Sequence, residues 1–172
     1  HPIEYQNHIF DQLMEAGKEF GLKPFGIRAM NSLRVEKSYK LVGTELSIEY
    51  SPYESGLDRF VHPNKGDFIG RAALDKWRAK GFSNKLVTME IHGVTDADVL
   101  GNNPIYDNGS VVGRATSGDF GFRLNKSIAL GMVKPELAKV GQKLKIDILG
   151  KMHEASIVEE SPYDSENKLL RA

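Results

Sequence analysis

The chain has 172 residues, and its composition, with 40% hydrophobic and 27% charged residues, is that of an ordinary globular protein. Its 23 basic and 23 acidic residues give a formal net charge of zero, and no basic run exceeds two residues, so nucleic acid is not an expected partner. It contains no cysteine, which excludes disulfides, thiolate metal ligands and a thiol nucleophile. No apolar run approaches the roughly 20 residues of a membrane-spanning helix, so no membrane partner is expected.

The first part of the chain has helical periodicity in three places. Apolar residues recur at helical spacing over Glu4–Gly21, over a stretch that follows Pro24, and over Ile69–Lys80, where Gly81 marks the end. Asp67 is expected to cap the third helix. Between the helices, Tyr39–Tyr50 is interpreted as extended chain or loop and Leu57–His62 as a short strand.

After Lys85 the pattern changes to short strands joined by tight turns. Leu86–Ile91 alternates as a strand does, and Asp107–Ser110 lies between two apolar runs as a hairpin turn does. Further strands are predicted at Ile128–Val133, Leu144–Leu149 and His153–Glu159, whereas the small residues of Gly113–Gly118 indicate a tight turn. The sequence therefore predicts an α+β protein that ends in a small antiparallel barrel or sandwich, with one domain over residues 1–84 and another over residues 85–172.

Motifs of several common sites are missing from this sequence. The five histidines are scattered, and no two have the i, i+3 or i, i+4 spacing of a helical metal site, so no metal is expected. There is no G-x-S-x-G nucleophile elbow and no phosphate-binding glycine loop. A nucleotide cofactor bound by this chain alone is therefore not expected.

Glu36 stands out because the second predicted helix ends there, where the helix dipole disfavours a carboxylate. One interpretation is a surface glutamate paired with Arg34 or Lys40. The other is a carboxylate directed into a pocket, where it accepts two hydrogen bonds from a ligand ring. Lys65, just before the third helix, is either solvated or in contact with an anionic group of a ligand.

Residues 26–37 resemble the R-A-x-[DN]-S-L-R-x-E-K block of the folate-dependent aminomethyltransferase family, also called the glycine-cleavage T-protein family. Lys37, Tyr39 and residues 43–45 are more similar to its dimethylglycine and sarcosine dehydrogenase branch. Asn31 departs from the Asp of T-protein-like relatives. Five further blocks follow in the family's order, so that the resemblance covers essentially the whole chain: residues 52–57, 65–70, 113–118, 129–133 and 162–164.

This resemblance implies the C-terminal part of an α/β folate-binding core followed by a small antiparallel β-barrel. It implies tetrahydrofolate as the acceptor of a one-carbon unit, with Glu36 on the pterin ring and Lys65 and Arg171 near the glutamate tail. The family's catalytic aspartate and, in the dehydrogenase branch, an FAD-binding domain would lie upstream of His1. No catalytic residue is therefore expected in this chain, which alone should be inactive.

The resemblance also implies partners: an N-methyl amine substrate such as dimethylglycine or sarcosine, and the N-terminal portion of the same protein. Self-association is expected as well, because an incomplete domain exposes its core face. The implied location is the mitochondrial matrix or the bacterial cytoplasm. The alternatives are a folate-dependent sulfonium demethylase of the same fold and a non-catalytic interaction module. Iron–sulfur-assembly relatives carry Cys where this chain has Asp67, which counts against that branch.

Overall fold

A computed structural model describes residues 1–94 and 96–172 of the chain. The chain divides into two compact units, His1–Met30 and Asn31–Ala172. The described residues form three α-helices and six β-strands, so the predicted α+β class is confirmed. None of these helices is long and apolar enough to cross a membrane.

The first unit is built around helix α1, Gln6–Ala16, which short 3₁₀ turns flank at Ile3–Tyr5 and Lys18–Phe20. The predicted helix over residues 4–21 is thus confirmed in its central part. The segment ends at Gly21, whose φ of 66° is in the left-handed region that glycine adopts most easily. No residue of α1 is buried within the described structure, and Phe10 and Leu13 are more than half exposed.

Helix α2, Ile27–Glu36, ends in a turn that is fixed by Ser38. Ser38 has a φ of 52°, a conformation that glycine usually supplies after a helix. Its N–H donates to Val35 O at 3.0 Å, and its Oγ lies 2.7 Å from Thr88 Oγ1 and accepts from the N–H of Ser161 at 3.1 Å. These buried hydrogen bonds offset the strain of a left-handed serine.

Two predictions for the segment after α2 are wrong. Residues 58–60 form a 3₁₀ turn, not a strand. Helix α3, Arg71–Lys80, begins later than expected, and its N-cap is Gly70 in the left-handed conformation, with no side-chain capping bond. Asp67 is three residues too early to cap it, because an N-cap side chain reaches only the second or third N–H that follows.

The second part of the chain is a closed antiparallel barrel of six strands in the order β1-β4-β3-β2-β5-β6. The strands are β1 Lys85–Ile91, β2 Pro104–Asp107, β3 Ser110–Gly121, β4 Lys126–Val133, β5 Lys143–Ile148 and β6 Lys151–Val158. The predicted hairpin at residues 107–110 is confirmed, and a second hairpin joins β5 to β6 at Gly150. Both turns, Asn108-Gly109 and Leu149-Gly150, have two successive residues with positive φ, as tight hairpins require.

Strand β4 shows that the barrel has a covered outer face as well as a packed interior. Ala129 and Val133 belong to the interior cluster with Met89, Ile105 and Ile146. The alternate residues of β4 point to the opposite face and are equally buried: Ile128, Leu130 and Met132. The outer face of β4 is therefore shielded from solvent, like the face that lines the interior.

A β-bulge in β3 changes which side chains reach that outer face. Ala115 is paired with Gly131, but Ser117 is paired with Leu130, so that Thr116 is the extra residue. Residues opposite each other on paired strands share a face. The bulge therefore turns Ser117 and, two residues on, Asp119 outwards. Residues 113–118 are thus part of a long strand, and the prediction of a tight turn there is wrong.

Candidate functional site

The polar residues at the end of α2 meet the side chains that the bulge turns outwards. Asn31 Nδ2 donates to Asp119 Oδ2 at 2.6 Å and to Gly118 O at 3.1 Å. Ser32 Oγ donates to Phe120 O at 2.6 Å. The pairing of β3 with β2 ends at Arg114, so among the described strands residues 118–120 of β3 have β4 as their only partner, and α2 bonds to this part of β3 without replacing any strand pairing of the barrel.

One turn further along α2, Arg34 enters a buried polar network. Its Nη2 donates to Ser117 Oγ at 2.7 Å, Ser117 Oγ donates to Glu45 Oε1, and Arg34 Nη1 is 3.6 Å from Glu45 Oε2. Glu45 is fully buried. Its Oε2 also accepts from the N–H of Leu41 at 2.9 Å and from Thr44 Oγ1 at 2.7 Å. The ion pair therefore has the hydrogen bonds that a buried charge needs.

The environment of Glu45 keeps its carboxylate ionised. Burial alone would raise its pKa, but the donors from Ser117, Leu41 and Thr44 outweigh this effect and hold the pKa below its ordinary value. Glu45 therefore acts as a fixed negative charge that joins α2, the following loop and β3.

Glu36 is almost fully buried, with 1% of its surface exposed. Its Oε1 accepts hydrogen bonds from the backbone N–H groups of Arg123 at 2.7 Å and Leu124 at 3.2 Å, in the turn between β3 and β4. The Cγ of Glu36 fills the space beside Gly121, since a Cβ added at Gly121 would lie 2.9 Å from this atom. The interpretation of Glu36 as a surface glutamate paired with Arg34 or Lys40 is therefore wrong: Lys40 pairs with Glu160.

Glu54 has a similar role at the start of the barrel. Its Oε2 accepts from the N–H of Ser51 at 3.0 Å and from Ser51 Oγ at 2.9 Å. Its Oε1 accepts from the N–H groups of Ser83 at 3.2 Å and Asn84 at 3.1 Å. Burial alone would raise its pKa, but these four donors lower it below the ordinary value.

The segment that follows β6 returns to the end of α2, and residues 160–170 are called the clasp below. Tyr163 donates its N–H to Glu36 O at 3.0 Å, and Ser161 Oγ donates to Lys37 O. A cleft of about 460 Å³ lies between the clasp and residues 37–59. Its lining combines three cations, one carboxylate, four hydroxyl groups and two leucines: Lys37, Ser38, Tyr39, Lys40, Leu46, Leu57, Arg59, Glu160, Ser161 and Ser165.

The three residues predicted to bind folate differ in their exposure, since Glu36 is buried whereas the other two are exposed. Lys65 is exposed at the end of a 3₁₀ turn, with its Nζ 4.7 Å from the centre of the Phe68 ring. Arg171 is exposed near the end of the chain. No hydrogen bond or ion pair joins Glu36, Lys65 and Arg171 in the part of the chain that is described. Their role as ligand contacts stays a prediction.

Sequence reasoning did not single out Glu45, Glu54, Ser117 or Asp119, although these residues hold the site together. Glu45 lies in the block of residues 43–45, Glu54 in the block of residues 52–57, and Ser117 in the block of residues 113–118. Their presence in short blocks of polar and small residues was the available signal. No group of three or more possible metal ligands occurs among the described residues.

The chain is thus a six-stranded antiparallel β-barrel to which the end of a helix is attached through buried charged groups. The family model described as "Glycine cleavage T-protein C-terminal barrel domain" matches residues 84–164, and the one described as "GCVT N-terminal domain" matches residues 1–65. The chain belongs to the glycine-cleavage T-protein family. The predicted membership is confirmed.

The chain is also similar to individual proteins of this family. Human mitochondrial dimethylglycine dehydrogenase is 41% identical over 153 residues, which are 88% of this chain and 18% of the relative. An aminomethyltransferase of Synechocystis is 39% identical over 158 residues, 91% of this chain and 42% of the relative. The solved aminomethyltransferase T of the Bartonella henselae glycine cleavage system shares the fold, with a TM-score of 0.80 and 23% identity, over 95% of this chain and 45% of that structure. The chain thus spans less than half the length of each.

Proposed function

We propose that this chain is the C-terminal part of a tetrahydrofolate-binding one-carbon transfer module, and that the whole protein is an N-methyl amine dehydrogenase of the dimethylglycine or sarcosine type. The observation that carries this proposal is the 41% identity to dimethylglycine dehydrogenase over most of the chain, with the α2 block attached to the barrel through buried polar contacts. Aminomethyltransferase relatives at 36–39% identity support the transfer reaction itself.

In this proposal the folate supplies the nucleophilic nitrogen that accepts the one-carbon unit. The residues of this chain orient the folate and exclude water from the reacting group. Lys65 and Arg171 are exposed cations whose chemistry suits the carboxylates of a folate tail. Glu36 already uses Oε1 for two backbone N–H groups, so Oε2 is the atom that a pterin N–H group would have to reach.

FAD would belong to a domain outside residues 1–172, and so would the catalytic aspartate. The chain alone is therefore proposed to lack transfer activity and to depend on the N-terminal portion of the protein. Mitochondrial and bacterial relatives suggest the mitochondrial matrix or the bacterial cytoplasm as its location.

The test is calorimetric titration of this chain with folinic acid, a stable reduced folate, beside the Glu36→Gln variant. The variant side chain would keep an acceptor for the Arg123 N–H but would present an N–H₂ group in place of one carboxylate oxygen. We expect saturable binding that is about tenfold weaker in the variant, as loss of a charge-assisted hydrogen bond predicts. The matched control is Glu49→Gln, because Glu49 is exposed and pairs with Arg114.

The outcomes separate the parts of the proposal. Binding that is equally tight in Glu36→Gln would remove Glu36 from the folate site. Absence of binding to this chain, while human dimethylglycine dehydrogenase binds folinic acid in the same assay, would mean that residues 1–172 do not form the site alone. Absence of the activity from the full-length protein would contradict the proposed reaction.

A further inference from the structure

The side chain of Lys37, the last residue of the 26–37 block, makes its described hydrogen bonds and its ion pair with residues of the clasp. Its Nζ donates to Asp164 O and to Asn167 Oδ1 at 2.7 Å, and it lies 3.6 Å from Asp164 Oδ2. Only 13% of its side chain is exposed, and 7% of that of Asp164. Two hydrogen bonds and one longer ion-pair contact hold this shielded ammonium against the clasp and make it a specific anchor.

Asp164 connects Lys37 to the rest of the clasp through hydrogen bonds. Its Oδ1 accepts from the N–H of Leu169 at 3.2 Å, and its Oδ2 accepts from the N–H of Leu170 at 3.4 Å. Burial opposes ionisation, but these backbone donors and the charge of Lys37 outweigh it and lower the pKa of Asp164, so the carboxylate is ionised at neutral pH. The clasp is therefore folded around the Lys37–Asp164 pair.

The clasp is joined to the turn between β3 and β4 by a closed set of three contacts. Tyr163 donates its N–H to Glu36 O, and Glu36 Oε1 accepts the N–H of Arg123. Arg123 completes the set, since its Nη1 donates to Tyr163 OH at 2.7 Å and its guanidinium lies 5.2 Å from the centre of the Tyr163 ring. A displacement of any one of these residues must alter the other two.

We propose that Lys37 is a positioning residue for Glu36: by anchoring the clasp, it holds Tyr163 in place and thereby fixes Glu36 against the turn between β3 and β4. The inference rests on the proposed function only where Glu36 is taken as a folate contact. The coupling between the clasp and the turn is a property of this chain alone.

The test compares Lys37→Met, which keeps the aliphatic stem and removes the donors, with Lys37→Arg, which restores a cation. Lys168→Met is the matched control, because Lys168 is in the same segment but highly exposed and paired with Glu166. Amide hydrogen exchange is measured at Tyr163 and Leu169 in the clasp and at Arg123 and Leu124 in the turn. Folinic acid affinity is measured on the same samples.

In Lys37→Met we expect exchange at Tyr163 and Leu169 to be at least about tenfold faster, since hydrogen bonds to a charged group are lost. Exchange at Arg123 and Leu124 should also rise several-fold, while folinic acid binding weakens. Lys37→Arg should restore most of both effects, and Lys168→Met should change neither.

Faster exchange in the clasp with unchanged exchange at Arg123 and Leu124 would overturn the coupling, and Lys37 would then be a local anchor only. If the unsubstituted chain does not bind folinic acid, the proposed function fails at the level of this chain. The exchange measurement still decides whether Lys37 positions Glu36, so the two failures are distinguishable.

Discussion

Replacement of Glu54 should destabilise the second unit strongly. The side chain is buried, and both of its oxygens accept two hydrogen bonds, so four donors lose their acceptor in Glu54→Ala. Three of the donors are backbone N–H groups, of which that of Ser51 is buried and those of Ser83 and Asn84 are partly buried. An unsatisfied buried donor costs about 1–3 kcal/mol, and such costs are not fully additive, so we expect a loss of about 3–5 kcal/mol.

Glu54→Gln should not rescue this loss. Each oxygen of Glu54 accepts from two donors. In the glutamine variant one of these oxygens is replaced by an N–H₂ group, so that donor groups would face each other. We expect Glu54→Gln to cost about 2–4 kcal/mol, close to the cost of the alanine variant. Glu49→Gln is the control, because Glu49 is largely exposed, and loss of its pair with Arg114 should cost at most about 1 kcal/mol.

The assay is urea unfolding followed by circular dichroism, with amide exchange at Asn84 and Leu86 as a local measurement. Asn84 donates to the Glu54 carboxylate and Leu86 donates to Glu54 O at 2.8 Å, so exchange at Asn84 should increase more than exchange at Leu86. A Glu54→Gln variant within about 0.5 kcal/mol of the unsubstituted chain would refute the reasoning, because it would show that the four donors do not need a carboxylate.

Three further predictions concern pH, Ser38 and self-association. Because the pKa values of Glu45 and Glu54 are lowered, their contribution to the free energy of unfolding is fully present above the unfolded-state pKa of about 4.3 and is lost as the pH falls through the folded-state pKa values. The urea midpoint should therefore fall steeply below about pH 4.5, and a flat profile would contradict this. Ser38→Ala should cost about 2 kcal/mol in urea unfolding, and Ser38→Gly about 1 kcal/mol less, since glycine relieves the strain at a φ of 52°; equal costs would show that no strain is present. Phe10 and Leu13 are exposed on α1, so the sedimentation mass should rise with concentration and Phe10→Asp should reduce this rise; a monomer at all concentrations would contradict self-association.

The barrel could be predicted from the sequence because its signals are local. Asn108-Gly109 and Gly150 are turn residues between alternating strands, and a hairpin is decided by a few adjacent residues. Helix α3 is predictable for the same reason, although its observed start is later than the sequence pattern indicates. The strand expected at Leu57–His62 was wrong because a short apolar run does not distinguish a strand from a turn packed on a surface.

The site was less predictable because its partners are distant in sequence. Glu36 and Arg123 are 87 positions apart, and Arg34 and Ser117 are 83 positions apart. Nothing near Glu36 indicates that a turn between two later strands supplies its donors. The bulge at Thr116 adds a second difficulty, since strict alternation would put Ser117 on the same face as Ala115 and inside the barrel.

The pairing of the first barrel strand with the last one has a consequence for how the module can be combined with other sequences. Thr88 lies opposite Val158 in an antiparallel pair, so the chain enters β1 and leaves β6 at the same end of the barrel. The sequence before β1 and the sequence after β6 are therefore both connected to the barrel at this one end. The matched region is 18% of human dimethylglycine dehydrogenase and 42% of the Synechocystis aminomethyltransferase, so proteins of quite different total length contain a module of this kind.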